Sequence, residues 1–358
     1  MSTWLIFGAR GYVGRRLTAR LRAEGVDVVG ADVRALPGES LLVGDVRDAS
    51  FVARCFSEST PAVVVHLASF GMSGGEMADR ATTWAVNEGG TRLVARECAR
   101  TGAALVYVST VNVCFNGRST IAAGDEQMER VAAETHLDAY SASKGVAEKI
   151  ALEESGGKCV VVRPYGIYGE GEERHFPRMI RMFVWGLYMQ IGAPGDRSDW
   201  VHVDNLVHAI VLAGRGVDRL AGEAFFIGDG EPCNTIDICR PLWQMVSGSN
   251  GEHWWIPGWI MFRLAHVCEL IGLPLLSRTE VNKIVGTHWW RTERATQVLG
   301  YKPVVSRKEG LERMYGHFRA ELEAAGYPEK YHRYRRRVIA IVFFFFLFFV
   351  FLLFYTRQ

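Results

Sequence analysis

The 358-residue chain predicts an α/β protein built on a doubly wound parallel sheet, followed by a smaller lobe. Three observations predict that class. Short β-branched runs alternate with helical stretches through the first half. The runs are almost continuously apolar, as parallel strands covered on both faces must be. A glycine-rich turn stands between the first run and the first helical stretch. Hydrophobic residues make up 49% and charged residues 22%, enough for a substantial core, and this excludes global disorder.

The elements follow in order. TWLIFG (3–8) reads as the first strand, and VGRRLTARLRAEG (13–25) as an amphipathic helix ending on glycine. Runs at 26–32, 40–45, 61–69, 104–110 and 159–165 read as later strands, with helices at 81–102 and 139–156 between them. Repeated βα units of this size give right-handed crossovers and a Rossmann-type sheet over residues 1–170. Beyond residue 170 the pattern breaks into short helices and loops, read as a substrate-binding lobe over 171–328. Within it, 259–276 is apolar except for Arg263, His266 and Glu269 at three-residue spacing. It reads either as a core-packed helix or as one at a membrane interface, with Trp254, Trp255 and Trp259 at headgroup level.

Gly8, Gly11 and Gly14 fall in FGARGYVG, between the first strand and the first helix. Glycines there let the backbone approach a pyrophosphate, and the helix N-terminus faces its charge. Asp32 closes the second strand, where an acid hydrogen-bonds the ribose hydroxyls and repels a 2′-phosphate. NAD is therefore expected, with NADP the lesser alternative because Arg34 lies two residues on. Asp45, after the third strand, stands where an acid accepts from the adenine amino group.

Tyr140 and Lys144 form YSASK on one face of a helix start. An ammonium beside the phenol is expected to lower its pKa and fit Tyr140 for proton exchange with a substrate oxygen while hydride moves at nicotinamide. Thr110 and Ser109 end the strand before it, where open α/β sheets place their sites. Asn87, in WAVNEGGT, is placed to hold a helix distortion or a water beside the lysine.

The formal charge is +2, unevenly spread: six of 41 basic residues and one of 39 acidic ones lie beyond residue 328. Residues 1–328 thus carry a net charge of −3, against a nucleic-acid binder. A basic collar (329–337) precedes VIAIVFFFFLFFVFLLFY (338–355), which is uncharged and holds eight of the 19 Phe. As a helix it is about 27 Å long and reads as a single-pass anchor. The collar keeps the body cytosolic, and the endoplasmic reticulum is the expected host for so short a span. Seven Cys without metal-ligand spacing read as reduced thiols, no metal is expected, and MSTWLIFGAR runs into a strand pattern with no leader expected.

With these motifs, together with VVHLAS, VNEGGT, VYVSTVNV, VVRPYGIYGEGE, DWVHVDNLVHAI and TERATQVLGYKP, the chain resembles an extended short-chain dehydrogenase/reductase. HLASFGMSG, STVNVCFNG, IYGEGEERHFPRMI and SRTEVNKIVGTHWW resemble the 3β-hydroxysteroid dehydrogenase/isomerase family, within it the membrane-tailed subgroup 42E. That resemblance implies NAD-linked oxidation of a sterol 3β-hydroxyl, with double-bond isomerisation in some relatives. It implies Tyr140, Lys144 and Thr110 as catalytic residues, Thr standing where most relatives have Ser, with Asn87 supporting the proton relay. It further implies Ala68, Lys144 and Pro164 against the cofactor, His175, Phe176 and Met179 lining the substrate lobe, and His202 as a structural residue. It is compatible with a homodimer. Two rival readings stay open: a nucleotide-sugar epimerase or dehydratase of the same fold, and a catalytically idle NAD-sensing membrane scaffold.

Overall fold

The computed structural model describes residues 2–35, 40–72, 74–116, 120–136, 138–186, 188–250, 254–270 and 278–332. Seven strands form one sheet: β1 (Trp4–Phe7), β2 (Val28–Asp32), β3 (Leu41–Val43), β4 (Val63–His66), β5 (Ala104–Val108), β6 (Cys159–Pro164) and β7 (Ala224–Ile227). Their order is β7-β6-β5-β4-β1-β2-β3, and every pairing is parallel. The order reverses between β1 and β4, so a crevice opens at their C-terminal ends.

The helices are α1 (Tyr12–Ala23), α2 (Ala49–Ser59), α3 (Thr91–Thr101), α4 (Ala139–Glu154), α5 (His175–Val184), α6 (Val203–Arg215), α7 (Thr235–Ser247), α8 (Gly258–Leu270), α9 (Arg278–Ile284) and α10 (Arg307–Ala324). Successive strand residues point to opposite faces. Ile6, Val65 and Val106 pack with Leu17 and Leu21 of α1 and Leu206 and Ile210 of α6. Leu5, Val64 and Leu105 pack with Phe51 of α2, Val94 of α3 and Ala147 of α4. Continuous apolar strands thus serve two cores at once.

The six strands expected from the sequence are present, each trimmed by one to five residues in all. β7 is the difference. It lies at 224–227, inside the stretch assigned to the lobe, yet it pairs with β6 at the sheet edge. α6, also beyond residue 170, covers the sheet. The chain leaves the sheet, builds part of the lobe, and returns. The lobe has its own core, in which Phe176, Phe183, Leu242, Trp243, Met314 and Phe318 of α5, α7 and α10 meet.

The expected helix 259–276 is described as α8, ending at Leu270; residues 271–276 lie outside the described residues. Its exposed surface is apolar rather than only polar: Trp259 is 71% exposed and Leu270 73%, with Leu264 and Val267 also exposed. Trp255, in the preceding strand Trp254–Ile256, is exposed as well. Among the described residues no helix is long and apolar enough to cross a membrane. The expected anchor 338–355 and collar residues 333–337 lie outside the described residues. Of the collar, Tyr331 is buried and packs edge-on against Trp243.

Candidate active site

The glycine turn comes first, since it follows β1 directly. Gly8 has φ +84°, a left-handed conformation that favours glycine. A Cβ there would press on the Ala68 backbone nitrogen at 2.8 Å, and one at Gly14 would overlap the Gly8 carbonyl. The turn, the end of β4 and the start of α1 therefore close up only with glycine. Gly11 is the N-cap of α1, without a side-chain cap, and the first turn carries no acid. Such a helix start suits an anion. Asp32, at the end of β2, accepts the Arg10 N–H at 3.0 Å, which fixes the carboxylate beside the turn. Asp45 is engaged by Arg47 at 2.6 Å, which holds its carboxyl below the usual range. An adenine amino group would share that carboxylate with a guanidinium.

The second part is α4, entered through Asp138, whose carboxylate accepts the Ser141 N–H at 2.8 Å. Tyr140 and Lys144 are both buried on this helix. The Lys144 ammonium donates to the Val108 carbonyl at 2.6 Å and lies 4.2 Å over the Tyr107 ring. Burial pushes Lys144 down to about 7, with the Glu148 carboxylate opposing.

Tyr140 departs from expectation. Its phenol is pushed up, not down. Burial dominates, Asp138 adds to it, and the cation that opposes it is Arg174. The physical reason is the phenol's own burial, which disfavours the phenolate, while the Lys144 ammonium is committed to the strand carbonyl.

Thr110 follows β5 and caps the short 3₁₀ turn Val111–Cys114, its hydroxyl accepting the Asn112 N–H at 3.3 Å. That leaves the hydroxyl proton to donate. Asn87 sits in a π-helical turn, Ala85–Gly90, so the expected helix distortion is there. Its amide accepts from Phe70 N–H and donates to the Phe70 carbonyl, both at 2.9 Å, and donates to Ser143 Oγ at 3.0 Å. Asn87 thus ties the loop after β4 to α4. Its backbone carbonyl accepts the Thr91 hydroxyl at 2.5 Å, and His66 Nε2 lies 3.0 Å from that hydroxyl. Thr91 has one proton to give, so His66 is the donor to it. Burial, with Lys144 nearby, pushes His66 down to about 3, and it stays neutral.

Pro164 ends β6, buried, opposite Ile227. Phe176 is not a pocket wall: it is fully buried against Trp200 and Phe318 in the lobe core. The His175 ring lies tilted against Trp200, and Met179 lies by Cys239. His202 is the expected structural histidine; it is fully buried and caps α6. Its Nε2 lies 3.3 Å from Glu170, and with Asp204 the three form a metal-like group. Arg16 lies 3.0 Å from Glu170 and 3.5 Å from Asp204, so a cation already neutralises these carboxylates.

One residue was not anticipated. Glu148, one turn beyond Lys144, is fully buried and pairs with Arg163 of β6 at 2.6 Å and Arg130 at 3.2 Å. Burial alone would raise it, but Arg163, with Ser109 and Arg130, outweighs burial and holds it low. The available signal was position: Tyr140, Lys144 and Glu148 are four apart and share a helix face.

The profile of the 3-beta hydroxysteroid dehydrogenase/isomerase family matches residues 5–257. Short-chain dehydrogenase/reductase family 42E member 1 of Bos taurus is 36% identical over 330 residues, covering 84% of each chain. The 3 beta-hydroxysteroid dehydrogenase/Delta 5-->4-isomerase of Mycobacterium tuberculosis is 29% identical over 90% of this chain and 94% of its own. Among solved structures, the UDP-glucose 4-epimerase of Thermus thermophilus in complex with NAD superposes with a TM-score of 0.66 at 22% identity, over 88% of this chain and 99% of that one. At that identity the likeness is one of fold. The family match takes in the glycine turn, Thr110 and the YSASK helix, and the chain belongs to the 3-beta hydroxysteroid dehydrogenase/isomerase family.

Proposed function

We propose that this chain is a membrane-attached, NAD-linked oxidoreductase of a secondary alcohol or ketone on a lipophilic, sterol-like substrate. Family membership makes it an NAD(P)-dependent oxidoreductase. The observation that carries the site reading is the placement of Tyr140 and Lys144 on one buried face of α4, beside the strand end that bears Thr110. The Gly8–Gly11–Gly14 cradle, the uncapped start of α1 and Asp32 fit a dinucleotide. Gly8, Gly11, Gly14, Asp32, Ala68 and Pro164 would hold it, with Lys144 on the nicotinamide ribose. Asp32 favours NAD over NADP. When bound, that cofactor accepts or returns the hydride.

The chain's own groups handle the proton. Thr110 donates to the substrate oxygen and fixes its direction. In oxidation Tyr140 acts from its phenolate form, which takes the alcohol proton, and in reduction the phenol returns it. Lys144, near neutral balance between its charged and uncharged forms, supports Tyr140 when charged, and the Asn87 turn keeps the helix in place.

Membrane attachment is part of the same proposal. In this reading the 338–355 segment serves as the anchor, with the endoplasmic reticulum as its host and the body cytosolic. The exposed Trp255, Trp259, Val267 and Leu270 support a second, interfacial contact through α8. A substrate dissolved in the bilayer would reach the lobe from that side. The test is NADH formation by the detergent-solubilised full chain across sterols, retinols and bile alcohols, with NADP as the cofactor control. Turnover of a UDP-sugar in place of any lipophilic alcohol would favour the epimerase reading, and NAD binding with no turnover the idle scaffold.

A further inference from the structure

Segment 169–174, GEGEER, links the short strand Gly166–Tyr168 to α5 of the lobe. Its side chains divide between the two halves of the molecule. Glu172 faces the lobe, accepting the backbone N–H groups of Arg174, His175 and Phe176 at 2.8–2.9 Å and so capping α5. The others reach to the dinucleotide half. Glu170 meets Arg16 at 3.0 Å, and its carbonyl accepts from the Tyr12 hydroxyl at 3.2 Å and from Arg16 at 2.8 Å. Glu173 meets Arg15 at 2.6 Å. Arg174 meets Glu76 at 3.2 Å, on the loop that follows β4.

Tyr12, Arg15 and Arg16 belong to the first turns of α1, directly after the glycine cradle. Glu76 lies beyond Ala68, on the opposite wall of the crevice. The segment is therefore pinned on both walls of the groove and rooted in the lobe. Gly169 (φ +140°) and Gly171 (φ +77°) give it two joints that side chains would stiffen. The pairs are solvent-accessible: Arg15 and Glu173 are 43% and 67% exposed, Arg174 and Glu76 50% and 33%. Each such pair shifts an equilibrium by about two- to fivefold, strong enough together to hold a loop and weak enough singly to part.

We propose that segment 169–174 is an ionic clasp across the dinucleotide groove, which opens for cofactor exchange and closes during turnover. It rests on the reading that the glycine cradle holds the cofactor. Glu173 and Glu76 act through the clasp and touch no reacting atom, so they are positioning residues.

The test is stopped-flow release of NADH, followed by its fluorescence, from the full-length chain in detergent at low and high salt. Glu173→Gln and Glu76→Gln each raise the release rate about threefold, and the double variant raises it about tenfold. Salt speeds release from the parent chain, because it screens exposed pairs, and does so much less in the double variant. Exchanging the charges in Arg15→Glu/Glu173→Arg restores slow release, which loss of packing would not. A chain that holds NADH with the same release rate and salt response in every variant overturns the clasp. A parent chain that holds no NADH overturns the cofactor reading and the clasp with it.

Discussion

The Lys144 ammonium is hydrogen-bonded to the carbonyl of Val108, 2.6 Å away, rather than left to act on its helix neighbour Tyr140 alone. The last residue of β5 thereby sets where the helix charge sits, and Thr110 stands two residues further on. The general acid/base helix and the substrate-orienting hydroxyl share one strand end.

The burial of that ammonium gives a pH dependence of stability. Burial lowers Lys144 from its usual 10.5 to about 7. Between those values the unfolded chain holds a proton that the folded chain has released, so stability rises with pH. Below about 7 both states are protonated, and the full cost of burying the ammonium is present. The cofactor-free chain should gain about 1–2 kcal/mol between pH ~7 and ~8.5, before thiols such as Cys98 and Cys159, raised by burial, begin to ionise in the unfolded chain and oppose it. Urea midpoints across that range check this, and Lys144→Met should flatten the slope.

Tyr140→Phe should lower turnover by about 10²- to 10⁴-fold, the usual contribution of one proton-transfer group. NADH binding, read by fluorescence titration, should persist. Unchanged turnover would remove Tyr140 from the chemistry. Thr110→Val should lower turnover as well, while Thr110→Ser recovers it, since only the hydroxyl is needed.

Glu148→Ala should destabilise the fold by about 3–5 kcal/mol, because it strands the Arg163 charge in a buried site. Glu148→Leu combined with Arg163→Met should recover most of that loss, because the apolar pair fills the space without an unpaired charge. Thermal denaturation of the three variants decides it. A loss in the double variant as large as in the single one would show that the pair matters through packing instead.

Chain ending at Pro328 would remove Tyr331, which is buried against Trp243, and so would damage the lobe. Ending at His332 is the cleaner cut. That shortened chain should leave the membrane pellet at high salt, and any remainder should be released by Trp255→Glu/Trp259→Glu. A full-length chain found wholly in the soluble fraction would refute the anchor.

Much of this was legible beforehand, for physical reasons that differ by element. β1, β4 and β6 are long apolar runs that only a doubly covered strand explains. Gly8 and Gly14 stand where no side chain fits, and Tyr140 and Lys144 stand one helical turn apart. β7 was not legible, because its four residues are bounded by loops in a stretch without repeating pattern. Glu148 was not singled out, since a buried acid betrays itself only through a partner that is distant in sequence. The direction of the Tyr140 shift turned on how deeply the phenol is buried, and spacing alone carries no such information.

The return of the chain to the sheet at β7 bears on how the protein is made. A ribosome that has released only the first 170 residues has exposed a β6 edge whose backbone donors and acceptors have no partner strand. Those nascent residues, Arg163 apart, are apolar, and all are buried once folded. The growing chain must therefore be shielded until residue 227 has cleared the exit tunnel, and a fragment expressed to the end of the glycine-turn half should aggregate where a fragment reaching past β7 should not.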